Sequence, residues 1–175
     1  MKCTKLMVIR HAEKPDKRAG VFGVTEAGVP DKYELTAKGW RRAMALVRLF
    51  NPATGDSLPM GLAVPGTIFA AAPTDNNPSK RSLHTVEPLA AHLGLEIRTD
   101  FAPRQERDLI TAAMSASPTV LICWHHRRIP RLVARLGVEI DDWPETAFDR
   151  VLILDRAEGG WTLRVLAPRL LPDDC

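Results

Sequence analysis

The apolar run Leu6-Met7-Val8-Ile9 stops abruptly at Arg10-His11, and from there the chain is charged and proline-rich until Leu35. A short apolar run without polar alternation is the pattern of a strand buried on both faces, which requires a sheet covered by helices. Thr119-Val120-Leu121-Ile122-Cys123-Trp124 is a second run of this kind, and it too ends at histidines, His125-His126. Residues 67–72 supply a third, shorter strand. Strands of this type alternating with helical segments predict an α/β fold: a three-layer sandwich with a mostly parallel central sheet and helices on both faces. Ligands of such sheets bind beyond the carboxyl ends of the strands, so both histidine-terminated strands present their histidines at one edge.

The remaining segments fit that frame. Thr36 is placed to cap a helix whose apolar stripe is Trp40, Ala43, Met44 and Val47, with Arg41, Arg42 and Arg48 off the stripe. Residues 80–93 read as a helix with Leu83, Val86, Leu89, Ala90 and Leu93 inward, Gly94 as its stop and Pro88 as a kink or break. An edge strand is expected over 95–98, a helix over 105–115 and another from about Pro130. Residues 151–155 and 161–165 form a closing hairpin through Glu158-Gly159-Gly160. Two stretches rich in proline and glycine, 14–34 and 51–66, are loops, and the first is long enough to serve as a substrate cover or to be a surface insertion.

A chain of 175 residues with 45% hydrophobic and 26% charged content is sized for a single domain, 1–175, with a full core. The net charge of +3 gives no reason to invoke nucleic acid or membrane as a partner. No stretch approaches the roughly 18–20 apolar residues of a membrane span, and Arg10 arrives too early for a secretory signal, so a cytoplasmic location is expected. Cys3, Cys123 and Cys175 lack metal-ligand spacing and read as reduced thiols. Nothing in the pattern bears on oligomeric state.

Arg10, His11, Arg81 and the pair His125/His126 each follow a strand or open a helix at the same predicted sheet edge. Two guanidiniums and two imidazoles around one pocket suit a tetrahedral dianion, and arginine forks match phosphate oxygens. With no carboxylate cluster of metal-ligand spacing, phosphate handling is expected without metal or cofactor. A neutral His11 is then a nucleophile for phosphorus, and an acid must protonate the departing oxygen. Several carboxylates are available for that role and the pattern singles out none.

Arg10-His11-Ala12-Glu13-Lys14-Pro15 resembles the signature of the histidine phosphatase superfamily, the phosphoglycerate mutase-like group. Leu35-Thr36 with Gly39 resembles the group's "LT..G" helix start, Arg81 four residues before Thr85 its second phosphate arginine, and residues 120–130 its last strand and second histidine. The correspondence spans residues 4–137, with Ala12 in place of the usual glycine. It implies a phosphoglycerate mutase-like fold and a metal-independent phosphatase that hydrolyses a phosphomonoester or phosphohistidine through a phosphohistidine on His11. Arg10 and Arg81 would bind the phosphate, joined by His84, which stands where the group often has glutamine. Counting from the strand favours His125 as the second histidine, whereas a subgroup reading Trp, any residue, His, two residues, Ile-Pro favours His126. Glu13 and Glu106 are the candidate proton donors. The substrate class is a small phosphorylated metabolite or a phosphoprotein. The alternative is a catalytically weak or inactive phosphate- or phosphoprotein-binding module, and a phosphomutase would need more chain for its lids.

Overall fold

In the computed structural model, which describes residues 2–174, the strands are β1 (Lys5–Arg10), β2 (Thr67–Ala70), β3 (Ile97–Arg98), β4 (Thr119–Trp124), β5 (Val151–Ala157) and β6 (Gly160–Leu166). They form one sheet in the order β3-β2-β4-β1-β5-β6. The first four run parallel, β5 returns antiparallel beside β1, and β6 pairs antiparallel with β5 as the predicted hairpin. The helices are α1 (Ala37–Phe50), α2 (Arg81–Leu93), α3 (Glu106–Ala116) and α4 (Ile129–Ala134), with a short 3-10 turn at His126–Arg128 before α4.

Side chains alternate across a strand, and here the alternation divides the apolar residues into two cores. Leu6, Val8, Val120, Ile122, Trp124 and Leu152 face α3 and α4, which contribute Leu109, Ala113, Ile129 and Leu132. Met7, Ile9, Ile68, Leu121, Cys123 and Ile153 face α1 and α2, which contribute Leu46, Phe50, Val86 and Leu89. Both faces are covered, as the unbroken apolar runs of β1 and β4 require. The result is the three-layer α/β sandwich anticipated from the sequence.

Thr36 caps α1, its hydroxyl accepting from the Gly39 amide at 3.1 Å. The helix is rotated from its predicted phase: Met44, assigned to the apolar stripe, is 61% exposed, while Arg42, assigned off it, is 3% exposed. The reason is tertiary, since Arg42 is drawn inward by two carboxylates described below. Pro88 does not interrupt α2, which continues to Leu93 with Leu89 and Ala90 packed in the core, and Gly94 ends it in the left-handed conformation. Cys3 and Cys123 are buried free thiols, and Cys175 lies outside the described residues. Among the described residues no helix is long and apolar enough to cross a membrane.

Candidate active site

β1 and β4 are parallel neighbours with Arg10 opposite Trp124, and the His11 amide donates to the Trp124 carbonyl at 3.2 Å. The two histidine-bearing ends therefore leave the sheet side by side. The alternation that splits the two cores also sorts the side chains here. Arg10 and His126 fall on the α3/α4 side, where Arg10 Nη2 meets His126 Nδ1 at 3.3 Å. His11 and His125 fall on the side of α2, with ring centroids 5.8 Å apart and planes nearly perpendicular. The His11 ring is 6.5 Å from that of His126. His11, Arg81, His125 and His126 line one cleft together with Lys14, Asn77, Pro103, Arg104, Arg127 and Arg128.

His11 is 5% exposed, and its Nδ1 lies 2.8 Å from the Ala12 carbonyl. A carbonyl only accepts, so Nδ1 carries the proton and Nε2 keeps its lone pair. Burial drives the His11 pKa well below the ordinary imidazole value; the Ala12 carbonyl opposes this, and Arg10, Arg81 and His125 reinforce it. The turn after His11 is tied down on two sides. The Ala12 amide donates to Thr85 Oγ1 at 2.8 Å, and that hydroxyl donates to the Arg81 carbonyl, joining the turn to α2. The Glu13 carbonyl accepts from the Thr36 amide, and α1 approaches so closely that a Cβ at Gly39 would lie 2.8 Å from that oxygen.

The two arginines behave differently. Arg10 is 1% exposed and does not line the cleft. Its Nη1 donates to the carbonyl of Glu145 at 2.6 Å and to those of Pro144 and Ala147 at longer range, and its guanidinium stacks on Phe148 at 3.8 Å. Arg81 opens α2 on the cleft wall, donating from Nη1 to the Lys32 carbonyl at 3.3 Å and leaving Nε without a partner. His84, one turn on, is held away from the cleft wall: Nδ1 is 2.5 Å from Glu34 Oε2 and the ring stacks on Trp40. Trp40 in turn donates to the Val24 carbonyl, so His84 and Trp40 anchor the 14–34 excursion to α1 and α2.

Both candidate donor carboxylates are occupied. Glu13 accepts from Arg42 through Nε and Nη2, the latter at 2.7 Å, and Arg42 also reaches Asp174 near the chain end. Glu106 accepts from Arg128, from the indole of Trp124 at 3.1 Å and from the Arg104 amide at 3.0 Å. Burial alone would raise its pKa, but these donors, Arg128 foremost, pull it down to about 2. Arg42, Asp174 and residues 144–148 carry no signal in linear order: Asp174 and residues 144–148 acquire their places through partners more than a hundred residues away, and Arg42 through Glu13 and Asp174 together.

The electrostatics give a testable pH dependence. Burial, with Arg10, Lys14 and Arg127, lowers His126 from 6.5 to about 4, and His125 is lowered by burial and Arg81. Below pH 6.5 the unfolded chain takes up protons that these folded-state imidazoles refuse. Stability therefore falls as pH drops from 6.5 towards 4, each group contributing up to about 1.4 kcal/mol per pH unit within its own window. An NMR titration should place the His126 midpoint near pH 4 and find no midpoint for His11 at the ordinary 6.5, while the melting temperature declines across the same interval.

No protein-family model matches the chain, and no curated protein matches it in sequence. Solved structures do match it. The protein histidine phosphatase SixA, complexed with tungstate, superposes with a TM-score of 0.58 at 16% identity, covering 94% of this chain and 97% of that one. The chain has the histidine phosphatase fold. YhfR of Bacillus stearothermophilus gives 0.59 at 18% identity with the same coverage. A phosphoserine phosphatase mutant from Entamoeba histolytica, in complex with phosphoserine, gives 0.55 at 11%, again covering 94% and 97%. This is the phosphoglycerate mutase-like sandwich expected from the motifs.

Proposed function

We propose that this protein is a metal-independent phosphatase in which His11 Nε2 attacks phosphorus. The observation that carries the proposal is the His11 ring itself: neutral, its Nδ1 proton committed to the Ala12 carbonyl, on the wall of a cleft rich in cations. In the first step an N–P bond forms as the bond from phosphorus to the leaving group breaks. Water then cleaves the N–P bond, releasing inorganic phosphate and restoring His11. Arg81 and His125 share the cleft wall with His11 and neutralise the equatorial oxygens; His126 lines the cleft too, but its Nδ1 is taken by Arg10, which favours His125 as the second histidine. Arg10 acts from behind, holding His126 and residues 144–148 in place.

The engaged state of Glu13 and Glu106 bears on the substrate. A departing alkoxide needs a strong acid, and both carboxylates are committed to arginines. A phosphohistidine, whose leaving group is an imidazole, needs that acid less, so this N–P substrate is favoured over an alkyl phosphate. The neighbour SixA is itself described as a protein histidine phosphatase.

Incubation with a phosphohistidine peptide in EDTA, followed by an alkaline denaturing quench and mass spectrometry, should find acid-labile phosphate on His11. Turnover of that peptide should exceed turnover of an alkyl phosphate by a wide margin. Comparable rates count against the N–P substrate. Phosphate binding with no phosphate ever trapped on His11 leaves the chain a binding module.

A further inference from the structure

In-line attack needs the His11 ring at one place and one angle, and a side chain takes both from its backbone. The two peptide groups that flank the His11 α-carbon are each tied through their amide. The His11 N–H donates to the Trp124 carbonyl at 3.2 Å, fixing the side towards β4. The Ala12 N–H donates to Thr85 Oγ1 at 2.8 Å, fixing the side towards α2. The first tie extends the pairing of two parallel strands, β1 and β4. The second depends on one side chain.

A threonine inside a helix often turns its hydroxyl to the carbonyl four residues back. Thr85 does so, donating to the Arg81 carbonyl at 2.7 Å. Its oxygen also accepts from an amide 73 residues away, which no local habit of a helix explains. One hydroxyl therefore joins the turn that carries His11 to the residue that opens α2 on the cleft wall. Thr85 is 1% exposed and Ala12 is fully buried, so bulk water has no access to take the place of this oxygen. The Cys123 thiol lies against it, and sulfur is too weak an acceptor to replace it. Without the hydroxyl the Ala12 amide would be an orphaned donor in the core, and the turn would have to rotate to find another acceptor. Rotation there carries with it the Ala12 carbonyl that fixes the His11 tautomer.

We propose that Thr85 is a positioning residue for phosphoryl transfer: its hydroxyl holds the His11 ring in the Nδ1–H tautomer and in a fixed relation to Arg81. The inference rests on the phosphatase reading for the reaction and adds the residue that aims its nucleophile. Thr85 does not line the cleft and acts only through His11 and Arg81.

Thr85→Val keeps the outline of the side chain and deletes the hydroxyl, whereas Thr85→Ser keeps the hydroxyl. On a phosphohistidine peptide, Thr85→Val should lower kcat about 100-fold, the scale of a misplaced reacting group, with the affinity for inorganic phosphate unchanged within about threefold by calorimetry. Thr85→Ser should recover most of the rate. Nitrogen-15 spectra of the histidine rings, recorded well below the melting temperature, should show His11 as the Nδ1–H tautomer in wild type and Thr85→Ser and as a mixture of tautomers in Thr85→Val. An unchanged kcat or an unchanged His11 tautomer in Thr85→Val overturns the proposal. So does a Thr85→Ser variant as slow as Thr85→Val, which would assign the effect to shape, or a parallel loss of rate and phosphate affinity, which would assign it to general loosening. Should Thr85→Val not fold, Thr85→Ala, which also lacks the hydroxyl, is judged by the same criteria. A wild type that neither turns over nor traps phosphate on His11 refutes the phosphatase reading by itself, and the His11 tautomer in Thr85→Val then still decides whether the hydroxyl aims the ring.

Discussion

His11→Ala should lower kcat/KM by at least about 10⁴-fold, the scale seen when a catalytic nucleophile is removed. The expectation follows from the division of labour on the ring. Nδ1 is committed to Ala12, so Nε2 alone carries a lone pair, and the depressed pKa keeps that lone pair unprotonated through the neutral range. Neither neighbouring imidazole is a ready substitute. His125 stands 5.8 Å away with its ring turned edgewise, and His126 is engaged by Arg10 on the other side of the strand ends. The substitution should leave the fold intact, because the Ala12 amide still bonds Thr85 and the Glu13 carbonyl still bonds Thr36. Steady-state rates on phosphohistidine peptide, with circular dichroism as the folding control, check the result. Retention of more than about a tenth of the activity would mean that another group attacks phosphorus.

Arg42→Met should destabilise the protein by about 3–5 kcal/mol, the usual cost of stripping one partner from a buried ion network. Arg42 is 3% exposed and lies between Glu13 and Asp174, whose side chains are 11% and 4% exposed. Its removal leaves two largely buried carboxylates facing each other, with Lys38, 3.9 Å from Glu13, as the remaining cation of the network. For a chain of this size the loss corresponds to a fall in melting temperature of roughly 6–20 °C. The effect should depend on pH with a definite sign. Arg42 holds the Asp174 carboxyl down at about 2, below its ordinary 3.8, so its stabilisation is present above pH 3.8 and is lost as pH falls towards 2. Denaturant titrations of wild type and variant should therefore differ most near neutrality and converge in acid. Neutralising all three residues together should cost less than Arg42→Met alone, because no buried charge then remains unpaired.

The same network joins Asp174 to the turn after His11. Glu13 lies two residues after His11, its carbonyl is fixed by Thr36 and its carboxylate by Arg42. Asp174 reaches the network from the far end of the sequence. The α1 stripe predicted from spacing placed Met44 inside and Arg42 outside because local periodicity prices an arginine as a surface residue. Two distant carboxylates reverse that sign.

Periodicity and composition are local properties, and wherever structure depends on them alone the sequence was legible. The apolar runs of β1 and β4 announced strands covered on both faces, their terminal histidines announced one edge, and Thr36, Gly94 and Gly159-Gly160 announced a cap, a stop and a turn. The meeting of His11, Arg81 and His125 on one cleft wall is the geometric consequence of parallel strands ending together. What each charged side chain does there was not legible. Arg10 turns from the cleft to the carbonyls of residues 144–147, Glu13 and Glu106 are taken up by arginines, and His84 serves to anchor a loop. A buried charge must find its partner, and the partner is chosen by distance in space. Linear order decides which groups arrive at the edge of the sheet; the packed chain alone decides which of them are already satisfied and which, like His11 Nε2, are left without a hydrogen-bond partner among the described residues.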